Sequence, residues 1–177
     1  MRIFVIAGKA GSGKNEVARI IKEYYIYKLE DCAVTSYSKY IYNFAKELTD
    51  WDGMPGNKPR DFMQKVGDII REVHPNYFTS NMIEDIPIYE KYVNNLVISD
   101  ARMPGELDKI RDSFENVYTI YVENQFATSK LTIEQQSHIT EHALEDYNDF
   151  DYIIANDTME NLKDKVFKIL EEIKWKN

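Results

Sequence analysis

One octapeptide constrains this chain more than any other stretch: Gly8-Lys9-Ala10-Gly11-Ser12-Gly13-Lys14-Asn15, a glycine, four residues, then Gly-Lys. Its flanks are the ones such a loop needs. Before it, Ile3–Ala7 is a continuous apolar run, which suits a strand buried on both faces of a helix-covered parallel sheet. After it, Val17, Ala18, Ile20, Ile21, Tyr24, Tyr25 and Leu29 recur at three- and four-residue spacing, which predicts a helix over 14–30. Glycines let backbone amides turn inward around an anion, and a helix start adds its positive dipole end. Gly8, Lys9, Ala10, Gly11, Ser12, Gly13, Lys14 and Asn15 are therefore read as a cradle for a nucleotide triphosphate, with Lys14 reaching its β- and γ-phosphates. The hydroxyl residue that usually follows the lysine, and binds Mg²⁺, is replaced by Asn15. Its amide oxygen is hard enough to ligate Mg²⁺, or it caps the helix locally.

The remaining chain alternates between the two periods. Strands are expected at 32–37, 96–98, 116–122 and 151–155, and helices at 38–48, 60–73, 77–92, 105–114, 140–147 and 159–173. Ser38 is the expected cap of the second helix, with Ile41, Phe44, Ala45 and Leu48 on one face. Phe62, Val66, Ile69, Ile70 and Val73 form the expected stripe of the third, and Pro87 should bend or break the fourth. Strand–helix alternation predicts a three-layer α/β/α fold around a mostly parallel, five-stranded sheet. The long helical stretch between the second and third strands (about 38–93) reads as a substrate-binding region inside a single domain spanning 1–177. The polar segment 124–140 reads as a short mobile lid.

Charge narrows the partners. Lys and Arg total 22 against 30 Asp and Glu, a net charge of −8, which argues against extended contact with a nucleic-acid polymer but not against a small polyphosphate in a local positive pocket. A single cysteine, Cys32, excludes an internal disulfide or a multi-cysteine metal site. No run approaches the ~20 apolar residues of a membrane span, so the expectation is a soluble cytoplasmic protein. A GTP switch is disfavoured: the one Asn-Lys pair, Asn57-Lys58, lies in a Pro/Gly loop and is followed by Pro59-Arg60.

Several segments resemble a known family. GKAGSGKNEVARII is similar to the start of small P-loop kinases, and LVISDARMPGELDKI resembles the strand–Asp-x-Arg-x-Pro-x-Glu segment of deoxynucleoside monophosphate kinases of phages and bacteria. WDG…KPRDFMQKVGDIIREVHPNYF resembles their substrate-side helices. HITEHAL followed by FDYIIANDTMENL is similar to their His-x-Ser-Glu segment, last strand and closing helix. Dephospho-coenzyme A kinases are more distant. The resemblance implies an enzyme with a P-loop kinase fold that moves the ATP γ-phosphoryl group to a nucleoside monophosphate, with Mg²⁺ and lid closure. The alternatives are a dephospho-coenzyme A kinase-like enzyme and a catalytically weak nucleotide-binding module.

The same resemblance implies roles for single residues. Lys14, Asp100 and Arg102 would be catalytic, Asp100 holding the Mg²⁺ shell with Asn15 or orienting the acceptor phosphate, and Arg102 gripping that phosphate unless it merely pairs with Glu106. Arg60 and Arg71 would neutralise the acceptor and Gln64 would read a base edge. Trp51 would stack on a base or cover the core. Asn156, with Asp157, would meet the adenine edge. Kinases of this class usually bring lid arginines to the transferring group, yet 124–140 holds only Lys130. His138-Ile139-Thr140-Glu141-His142 also spells a zinc-protease pattern, which the surrounding segments outweigh; Thr140 and Glu141 are read as a helix start.

Overall fold

A computed structural model describes residues 1–124 and 131–176. Five strands, β1 (Arg2–Ala7), β2 (Cys32–Thr35), β3 (Asn95–Ala101), β4 (Val117–Glu123) and β5 (Tyr152–Ala155), form one sheet in the order β2-β3-β1-β4-β5. Every pairing is parallel. β1 sits at the centre, and its side chains alternate between two cores. Ile3, Val5 and Ala7 enter one, while Phe4 and Ile6 enter the other. All five are essentially removed from water, which explains the unbroken apolar run in the sequence.

On one face lie α1 (Lys14–Tyr27) and α8 (Met159–Lys176), joined through Val17, Ile21, Leu162, Val166 and Leu170. On the other lie α2 (Lys39–Leu48), α3 (Arg60–Val73), α4 (Tyr77–Glu90) and α5 (Pro104–Ser113), which contribute Ile41, Met63, Met82, Ile86, Leu107 and Ile110. Two single-turn helices, α6 (Ile133–Gln136) and α7 (Ile139–His142), follow β4. The expected three-layer α/β fold with a five-stranded parallel sheet is present.

Several local expectations change. α1 ends at Tyr27, before Leu29, which is exposed and adopts a left-handed φ of 61°. β2 stops at Thr35 because Tyr37 and Ser38 turn to meet Asp100. Phe44 and Leu48 on α2, and Ile69 and Val73 on α3, face outward; Ile41 and Ala45, and Met63 and Gly67, are the buried positions. Pro87 does not break α4. It lies on the exposed side, where a carbonyl without its helical partner can meet water, while fully buried Met82 and Ile86 hold the helix to the sheet. The end of the expected 140–147 helix is a set of turns rather than α-helix.

Chain direction sets the location of the functional end. From β1 the chain moves to β2 on one side of the sheet, and from β4 to β5 on the other. The carboxyl ends of β1 and β4 therefore flank a topological switch point, where open parallel sheets place their ligands. The glycine-rich loop leaves β1 at that point.

Candidate active site

The loop's backbone is shaped by its glycines. Gly8 has a φ of 144°, and a Cβ there would lie 2.5 Å from the Val122 carbonyl oxygen of β4. Gly13, at the N-terminus of α1, has a φ of 105°, and a Cβ there would strike the Asn156 side-chain amide at 2.3 Å. L-residues resist both conformations, and neither position has room for a side chain. Asn156 follows β5 and donates its amide to the Ser12 carbonyl at 2.8 Å, so it braces the loop from the sheet. Ser12 Oγ is buried without a hydrogen-bond partner among the described residues. A buried hydroxyl without a partner inside an amide-lined turn suits an incoming anionic oxygen.

Lys14 is buried, and its ammonium folds back to donate to the Gly8 and Lys9 carbonyls, both at 2.7 Å. Burial lowers its pKa to about 7, helped by the Arg102 and Arg60 charges and opposed by Glu141 and Asp100. Asp100, near the end of β3, accepts from the Tyr37 amide at 2.7 Å and the Ser38 amide at 3.1 Å. Its carboxylate thus fixes the entrance of α2, whereas the Ser38 hydroxyl, expected to cap that helix, instead meets Ser36 and Tyr42.

Arg102 does not pair with Glu106. Its guanidinium pairs with Glu141 on α7, while its backbone amide donates to Glu106 at 2.7 Å. Glu106 also accepts from the Met103 amide at 3.1 Å, capping α5, and lies 3.7 Å from Arg71. Burial pushes the Glu106 carboxyl up to about 7, against the pull of those amides and of Arg71.

A cavity of about 940 Å³ joins these groups. The loop and the start of α1 form one wall, with Lys14 and Asn15. Asp100, Arg102 and Glu106 form the floor. The far wall comes from α3, where Arg60, Gln64, Gly67 and Arg71 succeed one another at four-, three- and four-residue steps and so share one helical stripe. Gly67 leaves space for Arg71: a Cβ there would come within 3.1 Å of its guanidinium, which lies 4.8 Å over the Phe78 ring. Trp51 is buried against Tyr42 and donates its indole N–H to the Met54 carbonyl, so it reaches the cavity wall as part of the core. A second, smaller hollow of about 440 Å³ lies beside the loop at the β1–β4 crevice, between Lys9, Ser12, Tyr121 and His142.

The structure thus brings together Lys14, Asn15, Asp100, Arg102, Arg60, Gln64 and Arg71, all expected from the sequence. It places Asn156 behind the loop. Lys130 lies outside the described residues. The two histidines of the zinc-like pattern face different partners: His138 meets Asp68 and Thr140, and His142 meets Glu145 and the Gln136 carbonyl. Sequence reasoning missed Glu141 and Glu145. Glu145 pairs with Lys9 at 2.5 Å, and Glu141 accepts from the Ala10 amide at 2.8 Å. Their four-residue spacing within a segment poor in basic residues was the available signal. Asn15 and Asp100 offer only oxygen donors to the cavity, a set that suits a hard cation retaining much of its water; among the described residues no three His, Cys, Asp or Glu side chains gather as a metal cage.

A parallel sheet of this order, a left-handed glycine cradle at its switch point and a buried lysine opening the next helix define a P-loop kinase fold. Solved structures agree on the fold. Shikimate kinase from Aquifex aeolicus is 12% identical over 100% of both chains with a TM-score of 0.54. A sugar kinase from Janibacter is also 12% identical, over 97% of this chain and 95% of that one, with a TM-score of 0.53. The chain belongs to the deoxynucleotide monophosphate kinase family, whose model matches residues 55–166. It is also 29% identical over 168 residues to the uncharacterized protein ORF77 of Ictalurid herpesvirus 1 (strain Auburn), covering 93% of this chain and 68% of the relative. No helix among the described residues is long and apolar enough to cross a membrane.

Proposed function

We propose that this protein transfers the γ-phosphoryl group of ATP to a deoxynucleoside monophosphate. The observation that carries the reading is one cavity walled on one side by the glycine cradle and Lys14, and on the other by the Arg60–Gln64–Arg71 stripe. An acceptor-phosphate oxygen would form the new P–O bond as the bond to the β-phosphate breaks, leaving ADP and a deoxynucleoside diphosphate. No covalent enzyme intermediate is needed, so the protein's contribution is alignment and neutralisation of charge.

In this reading residues 8–15 hold the triphosphate, Lys14 swings from its own loop carbonyls onto the β- and γ-phosphates, and Asn156 keeps the cradle in shape behind them. Arg102, Arg71 and Arg60 neutralise the acceptor phosphate, and Gln64 faces the acceptor base. Asn15 and Asp100 would hold Mg²⁺, which when bound would offset phosphate charge. The helical region 38–93 carries the acceptor and the segment 124–140 closes over it, all within one domain.

The test is an acceptor panel. The protein is incubated with ATP–Mg²⁺ and each deoxynucleoside monophosphate, with ribonucleotides and dephospho-coenzyme A alongside, and ADP and product are measured. Turnover with a deoxynucleotide, lost in Lys14→Ala, is the expected result. Turnover with dephospho-coenzyme A alone would reassign the acceptor, and tight ATP binding without acceptor-dependent ADP would identify a binding module.

A further inference from the structure

The described residues 131–145 touch both sides of the cavity, the glycine loop on one and α3 on the other. Glu141 on α7 is almost fully buried, with a side-chain exposure of 8%. One of its oxygens accepts from the Ala10 amide of the glycine loop at 2.8 Å, and the other pairs with the Arg102 guanidinium. A loop amide and a guanidinium are the donors that a phosphate oxygen would seek at this place. The neighbouring contacts hold the carboxylate there. Glu145 is fastened to Lys9 at 2.5 Å, Gln135 donates to Asp61 on α3 at 2.5 Å, and His138 meets Asp68 on α3 at 2.7 Å.

We propose that Glu141 is a removable internal substitute for a substrate phosphate: it fills the seat between the Ala10 amide and Arg102 in the ligand-free protein, and an arriving nucleotide displaces it, releasing Arg102 for the acceptor. The inference rests on reading residues 8–15 as the nucleotide cradle. Two consequences follow from its charge and position. A carboxylate left in place would lie against the incoming phosphates, so the plugged state binds nucleotide poorly, and apparent affinity scales with the unplugged fraction. Because one side chain holds both a donor-site amide and the candidate acceptor arginine, occupation of the first site changes the availability of the second, and the coupling is reciprocal. Glu141 is therefore a positioning residue that works through Arg102.

The experiment measures ADP binding by titration calorimetry, without Mg²⁺, to the full chain and to its Glu141→Gln and Glu141→Ala variants, with Lys14→Ala as control. In parallel, phenylglyoxal labelling of Arg102 is followed by mass spectrometry with and without ADP. Both Glu141 variants should bind ADP about tenfold more tightly than the wild type. Arg102 of the wild type should label faster once ADP is bound, and that of the variants should label fast without it. A merely structural Glu141 predicts weaker binding instead, so equal or weaker affinity in folded variants overturns the proposal. Should neither variant fold, unchanged Arg102 labelling of the wild type on adding ADP overturns it alone. Absence of ADP binding by the wild type and the variants alike would remove the cradle reading and this inference with it, whereas wild-type binding with no gain in the variants removes only the inference.

Discussion

Lys14 should take up a proton when nucleotide binds. In the ligand-free protein burial holds its pKa near 7, so at pH 8.5 the amine is almost entirely neutral and uses its N–H groups on the Gly8 and Lys9 carbonyls. A polyphosphate beside it would favour the charged form strongly. At that pH the terminal phosphate of ADP, with a pKa of about 6, is fully ionised and contributes no proton of its own. Binding should therefore draw about one proton from buffer at pH 8.5 and somewhat under half of one at pH 7, while at pH 6 Lys14 takes up almost none and the half-protonated ADP phosphate releases about half of one instead. Affinity should fall about tenfold per pH unit above 7, or about 1.4 kcal/mol per unit. Calorimetry in two buffers of different ionisation enthalpy reads the uptake directly, and Lys14→Met should abolish it. If the wild type takes up no proton at pH 8.5, Lys14 is already charged in the free protein and the argument from burial is wrong.

The same shift has a stability counterpart of defined sign. Lys14 is lowered from 10.5, so between about 7 and 10.5 the unfolded chain binds more protons than the folded one, and this group's contribution to stability rises with pH across that window, by about 5 kcal/mol in all. Glu106 is raised from 4.5 to about 7, so the folded chain binds more protons between those values and its contribution falls as pH rises through them. Both buried groups thus contribute least near pH 7. Lys14→Met should consequently melt at a higher temperature than the wild type at pH 6, with the gap closing as pH approaches 10.

Gly13→Ala should cost about 1–3 kcal/mol in a denaturant or thermal melt, because a Cβ collides with the Asn156 amide at a φ that L-residues resist, and it should weaken ADP binding as the loop opens. Asn156→Ala removes the 2.8 Å bond to the Ser12 carbonyl while leaving the ligand face of the loop intact. Its KM for ATP should rise about tenfold, with a smaller change in kcat, the equivalent of one hydrogen bond. Arg71→Gln should raise the acceptor KM at least tenfold and leave ADP affinity unchanged, since Arg71 faces the α3 side of the cavity; a parallel loss of ADP binding would contradict that placement.

The β1–loop–α1 unit was legible because every signal in it is local. The apolar run, the glycines that tolerate positive φ and the three-to-four periodicity each reflect conformations fixed within a few residues. The stripe on α3 was half legible. Its cavity side was found through Arg60, Gln64 and Arg71, but the expected apolar face included Ile69 and Val73, which are exposed, because the stripe shares the inward side of the helix with Met63 and Gly67. What the sequence could not show was pairing at a distance. Arg102 has an acid four residues on, and its guanidinium nevertheless meets one 39 positions away, because Glu106 is turned inward by the Arg102 and Met103 amides. Asn156 follows β5, beside ordinary turn residues, and nothing near it reveals the Ser12 carbonyl 144 positions earlier.

The arginine-poor lid takes on a different meaning in this arrangement. A lid that carried arginines into a cavity already holding Lys14, Arg60, Arg71 and Arg102 would gather like charges there before any phosphate arrived to balance them. The residues that follow the expected lid deliver carboxylates instead: Glu141 to Arg102 and the loop amide, Glu145 to Lys9. The net charge of −8 is therefore not confined to the outer surface. Part of it stands in the site as counter-charge to Arg102 and Lys9. In the proposed transfer, the positive charge would then come from Arg102 on the floor and Arg60 and Arg71 on α3. Removing Arg102 or Arg71 should cost turnover even though neither residue belongs to the lid, while neutralising Glu141 should tighten nucleotide binding.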